Sequence, residues 1–478
     1  MLKKGGKYLG IIILSLMILF LLTACDSGSS GNVLESEAYS SSLEIGYLEE
    51  EELAALSVSV GEEIYSDLKE NYQDGFVNLD LAGLEREVNV VVKHQDLQFT
   101  ESEFKFDQKD DGKIKEIYTT HVIVDETAGE KFTLTETEGE FIEDGHKYIF
   151  YPGRYTFGRD FVINDDNAAI ESKTGSKNTI FEFEEDKWIK IGADNIDFKG
   201  INIKTIQSEA GTHYAIQISQ ESKNINIENS DFEGIFTHSD VSGITIKNNK
   251  IHDGIYQGVF IDKNNSDVLI EANEIYDNSL YWSDKEDPGY EGIYISEDND
   301  QITIKNNNIR DNYGQAIALV ESTATIINNT LQNNEYQGVL LWPDSDAVVE
   351  NNLIKDNNSE GIYLMENSEA EIQYNEIKNN TYGIILTSEE TVNSTIINNN
   401  NILLNGNVSL FTKKINPENP DKSIPTENIL NAENNWWDSN QLNEDNLEVK
   451  NESDKLIIRG KVDYKPYAAK EIKEAGLK

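Results

Sequence analysis

One arrangement of apolar and polar residues recurs down the second half of the chain: apolar-x-apolar-x-Asn-x-x-apolar. It reads Ile225-Asn226-Ile227-Glu228-Asn229-Ser230-Asp231-Phe232, then Ile244-Thr245-Ile246-Lys247-Asn248-Asn249-Lys250-Ile251. It returns almost unchanged as Ile302-Thr303-Ile304-Lys305-Asn306-Asn307-Asn308-Ile309. Related segments end at Ile275, Leu331, Ile354, Ile377 and Ile402, so the end residues are spaced 19, 24, 34, 22, 23, 23 and 25 apart. A second segment, Gly-apolar-x-apolar, interleaves with the first at Gly258–Ile261, Gly292–Ile295, Gly338–Leu341, Gly361–Leu364 and Gly383–Leu386. Alternation with a period of two predicts strands, three short ones in each period. No such strand can bury its apolar face alone, so successive turns of chain must stack. The Asn at a fixed offset suits a corner: it tolerates a left-handed backbone, and its amide can bond the Asn one turn away.

This pattern resembles the parallel β-helix repeat, in the right-handed architecture of pectate-lyase-like proteins, over roughly Tyr148 to Tyr467. The ends agree. Tyr151-Pro152-Gly153-Arg154-Tyr155 resembles the opening of such proteins. Asn434-Asn435-Trp436-Trp437 resembles their closing segment, with Asp438 where Gly is usual. The resemblance implies a right-handed parallel β-helix (solenoid); with the small N-terminal β-rich domain read below from its own alternation, the expected fold class is all-β. It implies little about function, because this fold carries lyases, hydrolases, epimerases, adhesins and binding proteins.

Before the repeats the pattern changes twice. Leu43 to Tyr72 has the composition of helix. From Val77 to Ile142 alternation returns: Val88–Val92, Phe104–Phe106, Ile117–Val124 and Phe132–Leu134 read as strands, with Lys109–Lys113 as a hairpin turn. At the N-terminus, Lys3, Lys4 and Lys7 precede an apolar run from Leu9 to Leu22, the form of a signal peptide. Leu22-Thr23-Ala24-Cys25 resembles the bacterial lipobox, which implies lipidation of Cys25, the single cysteine. An uncleaved anchor helix and a buried structural cysteine are the rival readings. The expected organisation is residues 1–24 signal peptide, 25–42 flexible tether, 43–142 N-terminal domain, 143–412 β-helix, and 413–478 a linker excursion and cap.

Charge narrows the partners. Forty Lys and Arg against 87 Asp and Glu leave a net charge of −47. Nucleic acid is excluded as an unassisted partner, since phosphate binding needs a basic surface. One cysteine excludes internal disulfides and Cys-based metal cages. The resemblance places a substrate groove of sugar-active relatives on the Gly-apolar strands. Alternation then gives their outward residues: Phe236 and His238, Phe260 and Asp262, Tyr294 and Ser296, Leu340 and Trp342, Tyr363 and Met365. Aromatic faces stack on sugars, and acids and amides read hydroxyls. The alternative is a stripe covered by another part of the chain. A polar column precedes the strands: Glu233, Gln257, Glu291, Gln315, Gln337 and Glu360.

The 34-residue spacing marks an insertion, Asn278 to Tyr290, carrying Tyr281 and Trp282 as substrate contacts and Asp284, Glu286 and Asp287 as oxygen ligands for Ca²⁺. Asp262, Lys263 and Glu291 are the catalytic candidates, for a polysaccharide lyase or a glycoside hydrolase. His213, His238 and His252 fall in adjacent turns and read as scattered surface residues. The expectation is a cell-envelope lipoprotein, facing outside the cytoplasm, that binds a polysaccharide, with cleavage of it as the enzymatic form of the same reading. A non-catalytic surface or adhesion protein is the alternative. A periplasmic accessory protein like the β-helix partner of nitrous-oxide reductase maturation is the third reading.

Overall fold

The computed structural model describes residues 39–478 apart from 47, 49, 67, 74–75, 85–86, 95–97, 100–101, 121, 134–141, 206–213, 280–290, 407, 413, 417–418, 425–427, 438–457, 460–461, 464–467 and 469.

The N-terminal unit holds two small sheets. Tyr39–Gly46 pairs antiparallel with Phe76–Leu84 and parallel with Ile114–Thr120, within a five-stranded sheet. The second sheet places Ser57–Val60 between Glu63–Tyr65 and Val88–Lys93, with Glu103–Phe106 beyond. Leu43, Ile45, Val58, Val90, Phe106 and Ile117 share their core. Among the described residues the helix expected over Leu43–Tyr72 is absent. Strand Tyr39–Gly46, a 3-10 turn at Glu50–Ala55 and strands Ser57–Val60 and Glu63–Tyr65 occupy it instead. Val58 and Val60 alternate with serines and pair with Val92 and Val90, so long-range pairing outweighs helical composition. The Lys109–Lys113 turn forms, with Gly112 at φ +71°, but joins strands of different sheets rather than a hairpin. The single strand expected over Ile117–Val124 is two: Ile114–Thr120 stays in the N-terminal sheet, while Val122–Asp125 opens the solenoid.

From there the chain winds through three parallel sheets. Sheet A has 15 strands, of which the first two, Glu130–Thr133 and Val122–Asp125, pair antiparallel; sheet B has 11 and sheet C 12 among the described residues. The Ile-x-Ile segments form sheet A, as in Ser242–Lys247, Ser266–Glu271 and Asp300–Lys305. The apolar residue after each Asn lies in sheet B, as in Lys250–His252, Glu274–Tyr276 and Asn308–Arg310. The Gly-apolar segments form sheet C, as in Val259–Ile261, Ile293–Ile295 and Val339–Leu341. Adjacent coils are in strict register: Ile244 opposes Val268, which opposes Ile302. Inward residues therefore stack like on like into one continuous core. Its first coils are filled by phenylalanines, with Phe157 stacked on Phe183 at 4.9 Å between centroids. The glycines opening sheet C strands mark the tightest approach between coils. A Cβ at Gly338 would stand 2.5 Å from Ile354 Cγ2 and 2.7 Å from the Gly361 carbonyl.

Two asparagine ladders hold the corners. At the A-to-B corner, Asn249, Asn273, Asn307, Asn329, Asn352, Asn375 and Asn400 each donate from Nδ2 to the Oδ1 of the next, at 3.0–3.2 Å, the last bond reaching Asn435. Each Oδ1 also accepts a backbone N–H, as from Asn307 to Asn329 at 2.9 Å. The left-handed conformation belongs to the preceding residue: Asn248, Asn306, Asn328 and Asn351 have φ of 53–59°, and Ala272 and Tyr374 serve equally at 56°. The two tasks assigned to one Asn by sequence are thus divided between neighbours. A second ladder, Asn278-Asn312-Asn334-Asn357-Asn380-Asn405, runs up the B-to-C corner. At the far end Trp437 is buried below the last Asn, and Ile472 exchanges two hydrogen bonds with Asn401.

Candidate functional site

Sheet C presents a continuous outward column, because register makes each position the neighbour of its counterpart one coil on. It runs Gln217, Phe236, Phe260, Tyr294, Ala318, Leu340, Tyr363, Ile385 and Phe411. The aromatic rings contact one another: Phe236 to Phe260 at 5.0 Å and Phe260 to Tyr294 at 5.1 Å between centroids. Tyr214 extends the cluster, stacked on Phe236 at 5.4 Å. Phe236, Phe260, Tyr294 and Tyr363 are half-buried. Ala318, Leu340 and Ile385 face outward as well, yet are only 0–3% exposed.

The polar column lies beside these rings and is wired by hydrogen bonds. Tyr214 donates to Gln257 Oε1 at 2.6 Å, and Gln257 Nε2 donates to Glu291 Oε2 at 3.3 Å. Further along, Gln337 Nε2 donates to Glu360 Oε2 at 2.8 Å, and Ser359 donates to the same oxygen at 2.6 Å. Burial, joined by Glu291, Glu297 and Asp262, pushes the Tyr294 hydroxyl up to about 12. Burial and Glu360 push Tyr363 in the same direction. The face is therefore aromatic, acceptor-rich and negative.

The other sequence candidates fall in several places. His238 is exposed, its ring against Phe236 at 4.6 Å. Trp342 is half-buried at the exit of its strand, with Nε1 unbonded among the described residues. Asp262 leaves the strand Val259–Ile261 and accepts from Ser239 Oγ at 3.3 Å. Lys263 follows it, exposed. Glu291 is buried at the entry of the next strand, Ile293–Ile295, so it and Asp262 stand at opposite edges of sheet C. Tyr281, Trp282, Asp284, Glu286, Asp287 and His213 lie outside the described residues. Among the described residues no His, Cys, Asp and Glu group has the arrangement of a metal site.

Sequence reading missed one cluster on sheet B. His252, read as a scattered surface residue, holds Asp231 through Nε2 at 2.9 Å and Asp253 through Nδ1 at 2.7 Å. Only an imidazolium donates from both nitrogens, and the hydrogen bond to Asp231 raises its pKa most. Tyr276, one coil on, stacks on the His252 ring at 4.7 Å, and Arg310 covers the other side of Tyr276 at 4.2 Å. Asp277 is raised by burial, then by Asp311 and Asp253. Both faces of Tyr276 are thus occupied from within the protein, which makes the stack an inter-coil clamp rather than a platform. The sequence signal was the equal placement of His252, Tyr276 and Arg310 after the repeat's apolar residue.

The geometry defines a parallel solenoid with one aromatic outer face. Residues 189–346 and 318–414 match the family described as right handed beta helix region, and over that span the chain winds as a right-handed parallel β-helix. No curated protein sequence matches the chain. Among solved structures it is similar to the A-module of mannuronan C-5 epimerase AlgE4 from Azotobacter vinelandii. The match has 14% identity, covers 67% of this chain and 89% of that one, and has a TM-score of 0.44. It is also similar to the periplasmic alginate epimerase AlgG, at 14% identity, 67% and 85% coverage and a TM-score of 0.37. The enzymatically active domain of tailspike protein 2 from bacteriophage CBA120 matches at 11% identity, 47% and 43% coverage and a TM-score of 0.30. These likenesses are of fold.

Proposed function

We propose that the protein binds a polysaccharide along sheet C. The observation that supports this best is the in-register run Phe236-Phe260-Tyr294, half-exposed rings one coil apart with hydrogen-bonding side chains alongside. Such a stripe on a water-facing sheet marks an interaction surface, and it pairs apolar sugar faces with rings while amides and acids take hydroxyls. Cleavage would fall to Asp262, Lys263 and Glu291, and a Ca²⁺ ion would take oxygens from Asp284, Glu286 and Asp287. In this reading Cys25 carries a lipid that tethers the solenoid to a membrane of the cell envelope, facing away from the cytoplasm. Cys25→Ser would then move the protein from the membrane to the soluble fraction.

The test of binding is calorimetry against a panel of neutral, acidic and amino polysaccharides, with Phe260→Ala and Tyr294→Ala beside the unmodified chain. About tenfold weaker binding by each variant, ~1.4 kcal/mol, is expected, with thermal unfolding nearly unchanged. Unchanged affinity in both variants would remove sheet C as the binding face. A second reading, a non-catalytic surface protein whose stripe is packed against other chain, is favoured by the burial of the outward Ala318, Leu340 and Ile385. It predicts no glycan binding and loss of stability when these residues become charged.

A further inference from the structure

Sheet A carries a furrow on its outer face. The first buried residue in successive strands is Val268 and then Ile302, but the next three coils hold Ala324, Ala347 and Ala370 in register. Over these alanines, each 5–7% exposed, the surface is concave and forms an open groove of about 450 Å³. Its walls are two rows of outward side chains. One row runs Thr323, Asp346 and Glu369, the other Thr325, Val348 and Glu371. At the far end stands Ile396, paired in register with Glu371 and 42% exposed. One coil beyond, Ile429 is 66% exposed, two residues before the Asn431 that pairs with Ile396.

The furrow is acidic and apolar at once. Asp346, Glu369 and Glu371 are exposed, and no Lys or Arg lines the groove among the described residues. Elsewhere in the sheet Glu271 is held between Lys247 at 3.0 Å and Lys305 at 3.3 Å, whereas these three carboxylates have no such partner among the described residues. No aromatic side chain lines the groove either, so it lacks the rings that stack on sugars. A second copy of this chain, at −47, is repelled. The backbone of sheet A is paired from coil to coil, so recognition rests on side chains. What complements them is a segment that carries bulky apolar groups and cations together. From Gln301 to Ile396 the furrow crosses four steps of about 4.8 Å, and Ile429 adds a fifth, roughly 24 Å in all. An extended peptide of about seven residues has that length, and its alternate side chains share one face.

We infer that this furrow docks an extended basic segment of a partner protein, with apolar side chains on Ile396 and Ile429 and Lys or Arg on Glu369 and Glu371. The surface is independent of the glycan reading of sheet C. The test is calorimetry of the full chain with the peptide Lys-Ser-Lys-Ser-Ile-Ser-Ile, blocked at both ends, at physiological salt. Two counterparts are measured alongside, one with Glu for both Lys and one with Ser for both Ile. The Lys–Ile peptide is expected to bind about tenfold tighter than the Lys–Ser peptide, and the Glu–Ile peptide not at all. Glu369→Gln with Glu371→Gln, and separately Ile396→Ser with Ile429→Ser, should each weaken its binding about tenfold. All four residues are exposed, so thermal unfolding should stay the same. Glu184→Gln with Glu185→Gln, an equal change of charge at exposed residues on an early coil, should leave the affinity as it is. Equal binding of the Lys–Ile and Lys–Ser peptides, or an equal loss from the Glu184 and Glu185 control, reduces the effect to attraction by the acidic chain as a whole and overturns the proposal. Self-association of the chain that Ile396→Ser with Ile429→Ser abolishes would make a second copy the occupant and overturns it too. Absence of binding by all three peptides does the same.

Discussion

Asn329→Ala tests the corner on which the fold depends. Asn329 is fully buried. Its Nδ2 donates to the carbonyls of Ile304 at 2.8 Å and Ile327 at 3.1 Å, and to Asn352 Oδ1 at 3.1 Å. Its Oδ1 accepts from Asn307 N at 2.9 Å and Asn307 Nδ2 at 3.0 Å. The substitution deletes all of these and strands the buried Asn307 N–H, which alone costs about 1–3 kcal/mol. The remaining bonds carry a net ~0.5–1.5 kcal/mol each, discounted where a group keeps a second partner. The total is on the order of 4 kcal/mol. Asn328→Ala is the control. Asn328 supplies only its left-handed backbone, φ 56°, and its Oδ1 has no partner among the described residues. Ala272 fills the equivalent place two ladder steps earlier, so the cost there is about 1–2 kcal/mol. A stacked array need not unfold in one step, so hydrogen exchange of the coils on either side is the appropriate measurement, with urea unfolding alongside. Equal losses from the two variants, or less than ~1 kcal/mol from Asn329→Ala with undisturbed protection of its neighbours, would refute the division of labour described above.

Three further outcomes are expected. His252 has a folded pKa raised above its unfolded value by Asp231, so its stabilising contribution is complete below the unfolded pKa and is lost as pH rises through the folded one. His252→Gln should therefore destabilise at acid pH and converge with the unmodified protein at alkaline pH, as followed by thermal unfolding with the ring titration read by NMR. Gly338→Ala drives a Cβ to 2.5 Å from Ile354 Cγ2 and 2.7 Å from a backbone carbonyl, and overpacking of that kind costs about 1–3 kcal/mol, measurable by urea unfolding. Trp437→Ala opens the end of the core, where the indole is 2% exposed, for about 3–5 kcal/mol, with the loss of protection concentrated in the last coils.

The solenoid was legible because its physics repeats. Ile244-Thr245-Ile246 and Ile302-Thr303-Ile304 carry the same alternation and lie in the same sheet, so one correct strand assignment serves for every coil. The outward residues of sheet C followed from the same rule. The second ladder was equally available, since Asp277-Asn278, Asp311-Asn312 and Asp356-Asn357 sit just past the apolar residue that ends each repeat, but it lies outside the apolar-x-apolar-x-Asn-x-x-apolar segment that defines the repeat. The N-terminal unit was less legible. The stretch Leu43–Tyr72 has the composition of helix, yet its Leu48, Leu53 and Leu56 pack around short strands whose partners lie tens of residues away. The His252 clamp depends on carboxylates from two coils, Asp231 and Asp253, which no spacing rule for a single segment brings together. Of the site, the aromatic column was visible in sequence, whereas the hydrogen bonds that join Tyr214, Gln257 and Glu291 needed atoms.

The ladders also bear on how such a chain can change over evolutionary time. Asn273 meets Asn307 across 34 residues, and Asn400 meets Asn435 across 35, at the same 3.0 Å that joins Asn352 to Asn375 across 23. Corner geometry is therefore the same whether 23 or 35 residues separate two rungs. Loops can be gained, lost or exchanged at a corner while the coils above and below keep their positions. New recognition can be acquired by insertion, without any revision of the core that carries it.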